Sequence, residues 1–140
     1  MIFQTEKDSI DFFVTQLEVS GFTDISTTQA TNQFCHFDVS AQWGKKKVVF
    51  ELKRRNFSSS KYGDSSIEAS KFVKLEKDKR DGSIYDGFVV SFFSDIYTID
   101  SIGEGYNIRS VNCAKTTEFT DQTKEDKLLI CFPQNKKFNY

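Results

Sequence analysis

The stretch Phe34-Cys35-His36-Phe37-Asp38-Val39-Ser40-Ala41-Gln42-Trp43-Gly44-Lys45-Lys46-Lys47-Val48-Val49-Phe50-Glu51-Leu52-Lys53-Arg54-Arg55 decides how this chain folds. Two apolar-rich runs flank Gly44-Lys45, and that spacing predicts two antiparallel strands joined by a two-residue turn. Gly44 suits the first loop position, where positive φ is needed. Alternate strand residues share a face, so Val49, Glu51 and Lys53 point one way while Val48, Phe50 and Leu52 point the other. With this turn Asp38 falls directly opposite Glu51, their Cβ atoms about 5 Å apart, and Lys53 is a diagonal neighbour. A slip of one residue would move the set to the other face.

Outward from the hairpin, Ile10, Phe13, Val14 and Leu17 recur at helical spacing within 5–19, and Gly21 is a stop signal. Residues 22–29 read as a short strand, and 58–66 as a serine-rich loop. A second helix is expected over 67–79, with Ile67, Ala69, Phe72 and Leu75 inward and Gly82 ending it. Residues 85–93 form a nearly continuous apolar run, the pattern of a strand covered on both faces. Further strands are expected at 96–100 and 127–132, the last closed by Pro133; between Gly105 and Lys127 the pattern weakens. The order defines an α/β domain over 1–140, one mixed sheet flanked by helices.

Composition narrows the class. The chain has 140 residues, a 38% hydrophobic fraction, a 28% charged fraction and one proline, which excludes a disordered or collagen-like chain. Fifteen phenylalanines supply core volume. No apolar run approaches a spanning helix, and Met1–Glu6 carries neither a basic leader nor an apolar stretch, so a cytoplasmic protein is expected, in a bacterium or an infected host. Cys35, Cys113 and Cys131 are odd in number and widely spaced, which points to reduced thiols. His36 is the sole histidine, so neither a structural zinc site nor a histidine-based hydrolase is expected. The net charge of −1 hides an asymmetry: residues 45–80 hold 12 Lys/Arg against 5 Asp/Glu, net +7, and the rest of the chain is net −8. Such a local basic field draws polyanions, though a solvated charged face has the same composition.

Asp38, Glu51 and Lys53 interrupt apolar strands. Two carboxylates held close repel unless a cation lies between them, and a hard divalent ion such as magnesium is the usual answer. An ion of that kind activates water and polarises a phosphoryl oxygen, and a lysine ammonium stabilises the developing charge. A cross-strand salt bridge on a sheet surface would use the same residue types. Lys45, Lys46, Lys47, Arg54, Arg55 and Lys61 flank the centre in sequence as candidate phosphate contacts, and Tyr62 and Trp43 as stacking surfaces, the competing role being simple packing.

Asp38 followed thirteen positions later by Glu51-Leu52-Lys53 resembles the core motif of the PD-(D/E)XK nuclease superfamily. The order helix, three-stranded meander, helix, strand agrees with that family's restriction-endonuclease-like core. Arg55–Tyr62 followed by Ile67-Glu68-Ala69-Ser70-Lys71-Phe72 is similar to small phage and bacterial members, as is Cys113–Phe119. Phe37 departs from the pattern, standing where proline or glycine often precedes the aspartate. The resemblance implies metal ligation by Asp38, Glu51 and the Leu52 carbonyl, with Glu6 as an added acidic ligand from the first helix. It implies that Lys53 acts on the attacking water and that Glu68 and Lys71 face the site. The activity implied is a magnesium-dependent DNA endonuclease, manganese being able to substitute. Branched DNA is one candidate substrate, for which a homodimer would be expected. A ribonuclease on this scaffold and a noncatalytic nucleic-acid-binding or virion-associated protein keeping the fold are the alternatives.

Overall fold

The computed structural model describes residues 3–28, 37–104, 106–114 and 124–140. Helix α1 (Glu6–Val19) is capped by Thr5, whose hydroxyl accepts the Asp8 N–H at 3.1 Å, and Glu6 and Asp8 place negative charge at its positive end. Ile10, Phe13 and Leu17 form its buried stripe. It stops at Gly21, whose φ of +93° only glycine adopts without strain.

Strands β1 (Thr23–Thr27), β2 (Val39–Trp43) and β3 (Lys46–Arg54) form an antiparallel meander. The β2–β3 register pairs Val39 with Phe50 and Trp43 with Lys46, leaving Gly44-Lys45 as the loop. Gly44 takes φ +63°, as the sequence predicts. The chain then crosses through α2 (Ala69–Arg80) to β5 (Asp86–Phe92), parallel to β3, and continues into antiparallel β6 (Tyr97–Ser101) and β9 (Lys137–Phe138). The sheet order is β1-β2-β3-β5-β6-β9, a mixed sheet flanked by two helices: the α/β, restriction-endonuclease-like class expected.

Strand β3 separates two cores. Val48, Phe50 and Leu52 pack with Ile10, Phe13 and Leu17 of α1. Val49 packs on the other side with Phe72 and Leu75 of α2, and Glu51 and Lys53 share that face.

A second sheet lies beyond what the sequence pattern predicts. Strands β4 (Ser65–Glu68), β8 (Lys124–Phe132) and β7 (Asn107–Ala114) pair antiparallel in the order β4-β8-β7. Ile67 therefore lies in a strand, and α2 begins at Ala69 instead of Ile67. Pairing of Ile67 with Ile130 overrides the helical periodicity of 67–75, because the strand buries Ile67 against α2 while filling the ladder. Strand β7 escapes a sequence reading because it is an edge strand whose Ile108 is exposed, which blurs the alternation. Cys131 is a buried free thiol. Cys35, His36 and the segment 115–119 lie outside the described residues. Among those described, no helix is long and apolar enough to cross a membrane.

Asp100 on β6 is fully buried, and neither carboxylate oxygen has a well-aligned hydrogen bond. Burial, then the charge of Glu104, raises its pKa to about 6. The native state therefore holds a proton that the unfolded chain has lost, so stability falls as pH rises from about 4 to about 6 and stays low above that. Asp100→Asn should raise thermal stability at pH 8, by about 2 kcal/mol, and change it little at pH 4. Thermal melts of both proteins across this range check the sign.

Candidate active site

Strand β3 carries Glu51, Leu52 and Lys53 at the point where it lies between β2 and β5. Asp38 precedes β2, and its backbone N–H donates to the Phe50 carbonyl at 2.9 Å. Its Oδ2 accepts the Leu52 N–H at 2.8 Å. The hairpin register thus sets Asp38 opposite Glu51, and the main chain of the acidic-X-Lys triplet locks the aspartate rotamer.

Glu51 is 2% exposed. A carboxylate at that depth needs compensating charge. Two ammonium groups supply it on one oxygen: Lys71 Nζ lies 2.6 Å from Oε1 and Lys53 Nζ lies 3.3 Å from it. Lys71 reaches this point from the first turn of α2, packed over the same face of β3. Burial pushes the Lys53 ammonium below the ordinary lysine range; Glu51 works against that shift and Lys71 adds to it. Burial also works against the Lys71 charge, but Glu51 outweighs it and the group is raised. The pair therefore divides into a held cation, Lys71, and a lysine depressed toward proton exchange, Lys53.

Asp38 is pushed up to about 6, first by burial and then by repulsion from Glu51. The Leu52 N–H opposes the rise, and the charge of Glu6 adds to it. Glu6 sits exposed in the first turn of α1, and among the described residues no three acidic, histidine or cysteine side chains are gathered into a metal-holding group. The donor set fits magnesium nonetheless, because that ion takes one or two carboxylates and completes its shell with waters and other oxygens. The half-buried Asp38 carboxyl, whose ionisation is opposed by the charge of the buried Glu51 beside it, is the electrostatic signature a shared cation would relieve.

The other sequence candidates separate. Glu68 ends β4 beside α2 but makes no capping bond; it pairs with Lys127 at 3.3 Å. Arg55 donates to the Ser66 carbonyl at 2.7 Å. Arg54, on the opposite face of β3, donates to the carbonyls of Phe3 and Gln4 at 3.3 and 3.1 Å, which anchors the entry to α1. Lys45, Lys46 and Lys47 are exposed at the far end of the hairpin, about 13 Å or more from Glu51 along the strand. Lys46 lies 4.3 Å over the Tyr85 ring. Lys61 lies 5.1 Å over Phe57 and 5.4 Å over Tyr62, and Trp43 packs on Phe22 with centroids 4.7 Å apart.

Arg109 and Lys127 were not singled out from sequence, yet with Arg55, Tyr62 and Lys53 they line one cleft. The signal for Lys127 was the alternation of Lys127, Leu129 and Cys131 against Leu128, Ile130 and Phe132, which marks two faces of β8 but not what its Lys127 face meets.

A solved structure similar to this chain is the Holliday junction resolvase Hjc of Archaeoglobus fulgidus. The two share 13% identity with a TM-score of 0.53, over 84% of this chain and 77% of the resolvase. The likeness establishes a common fold, the one the motif implied. No protein-family model and no curated protein matches the sequence.

Because the Asp38 pKa lies above its ordinary value, ionising it costs the native state stability as pH rises from about 4 to about 6. Asp38→Asn keeps an oxygen for the Leu52 N–H, so in EDTA at pH 8 it should melt above the wild type, by about 1–2 kcal/mol, with the difference gone at pH 4. Magnesium should stabilise the wild type and not the variant. Melting curves with EDTA and with magnesium at both pH values decide it.

Proposed function

We propose that this protein is a metal-dependent endonuclease that hydrolyses DNA phosphodiester bonds. The observation that carries the reading is the Asp38–Glu51 pair facing across β2–β3 with Lys53 and Lys71 on Glu51, set on a fold similar to a junction resolvase. Asp38, Glu51 and the Leu52 carbonyl would hold magnesium, with manganese as a substitute and Glu6 contributing charge nearby. When bound, the ion supplies Lewis-acid stabilisation at the phosphate and acidifies water.

The chain's own groups do the rest. Lys53, lowered by burial, takes and returns a proton at the attacking water through Nζ. Lys71, paired with Glu51 until an ion takes its place, would then offer positive charge to a pentavalent phosphorus. Arg55, which lines the cleft beside Lys53, and Lys61, which lies over Tyr62, would contact phosphates, and Lys45, Lys46 and Lys47 would meet phosphates farther along the strand. Branched DNA is the substrate class the resolvase likeness favours, and symmetric cutting of it would call for a homodimer.

One observation favours the noncatalytic alternative. The 2.6 Å Lys71–Glu51 contact already neutralises Glu51 without a metal ion. Cleavage assays separate the two readings. Supercoiled plasmid, linear duplex, single strands and a four-way junction should be incubated with magnesium, manganese or EDTA. The wild type should cut only with metal, and Glu51→Ala and Lys53→Ala should each lower the rate at least about 100-fold. Intact DNA throughout, with salt-sensitive binding retained, would identify a binding module.

A further inference from the structure

The small sheet has two unlike faces. Ile67, Ile130 and Phe132 point into the core beneath α2. Glu68, Arg109, Leu129 and Lys127 point the other way, across a cleft of about 460 Å³ whose opposite wall is Lys53 and Arg55 at the end of β3. That volume falls within the range of small-ligand sites, and suits one nucleotide rather than a base pair with both its backbones. Beside the proton-exchanging Lys53, three cations, Arg55, Arg109 and Lys127, line the cleft against two carboxylates, Asp64 and Glu68, so its charge favours a phosphate.

One end of the cleft is aromatic. Phe57 and Tyr62 meet edge to face with centroids 5.3 Å apart, and Tyr62 remains 54% exposed. The Arg109 guanidinium lies 5.2 Å over the Tyr62 ring and is fixed there by Asp64 at 3.0 Å. Aromatic rings and guanidinium planes are the surfaces on which unpaired bases stack, whereas bases inside a duplex cannot reach them. Lys53 joins this cleft to the carboxylates, since the side chain that lines it also contacts Glu51.

We propose that the cleft receives one unpaired nucleotide adjoining the scissile phosphate, its base stacked at Tyr62 and Arg109 and its phosphate among Arg55, Lys127 and Lys53. The enzyme would then cut where a strand leaves the duplex. This rests on the nuclease reading for the cutting step, but not for binding. Electrostatic contact alone would hold a fully paired duplex equally well; stacking in the cleft would not.

The test uses a DNA flap with 2-aminopurine at the first unpaired position, and the same base paired within a duplex, both bound in EDTA. The flap should bind more tightly, and its fluorescence should be quenched on binding while the paired probe is unchanged. Tyr62→Ala should abolish the quench and narrow the flap-to-duplex affinity ratio about tenfold, and Tyr62→Trp should restore both. Equal affinity for the two probes, or a quench indifferent to Tyr62→Ala, overturns the proposal. Quenching by a protein that cuts no DNA in magnesium supports the cleft and removes the nuclease reading. Cutting in magnesium with no preference for the flap junction does the reverse.

Discussion

Everything at the site depends on the register of one hairpin. The β2–β3 turn admits two residues only, Gly44 and Lys45, and the ladder beyond it pairs Val39 with Phe50. That pairing buries Val39, Val48, Phe50 and Leu52 beneath α1 and leaves Asp38, Glu51 and Lys53 on the opposite face. A shift of one residue would send the carboxylates into the phenylalanine core and Phe50 into the cleft. The same apolar contacts that fix the fold therefore fix the chemistry, and the Asp38 Oδ2 bond to the Leu52 N–H ties the two strands at the level of the site.

The site is costly to build. A carboxylate as deep as Glu51 is tolerated because two lysines, from β3 and from α2, converge on one of its oxygens. The parallel β3–β5 crossover brings α2 over that face, and Phe72 and Leu75 seat the helix so that Lys71 projects toward Glu51. Among the described residues Asp38 has no such ammonium partner, and it carries the residual repulsion in its raised pKa. An arrangement in which one carboxylate is neutralised and its neighbour is not suits exchange of the lysine for a cation spanning both, with Lys71 released toward substrate.

Much of this was legible in the sequence because it rests on local periodicity. The α1 stripe, the glycine turn and the alternation of β3 each have a pattern of their own, and the position of Asp38 opposite Glu51 follows from the turn. Lys71 was named by resemblance, but its partner was not, since a helix residue twenty positions away meets Glu51 only through the crossover. The second sheet escaped because β4 pairs with β8 across more than 60 residues, and because Ile67 fits a helix stripe as well as a ladder. Arg54 and Arg55 look alike in sequence, yet strand alternation sends one to the carbonyls of Phe3 and Gln4 and the other into the cleft.

The central claim is that Asp38 and Glu51 share one divalent ion. Crystals grown with manganese and measured at its absorption edge test this most directly. A single anomalous peak between the two carboxylates, with Lys71 Nζ withdrawn from Glu51, is the expected result. No peak there, with the Lys71–Glu51 contact kept in saturating manganese, would contradict it.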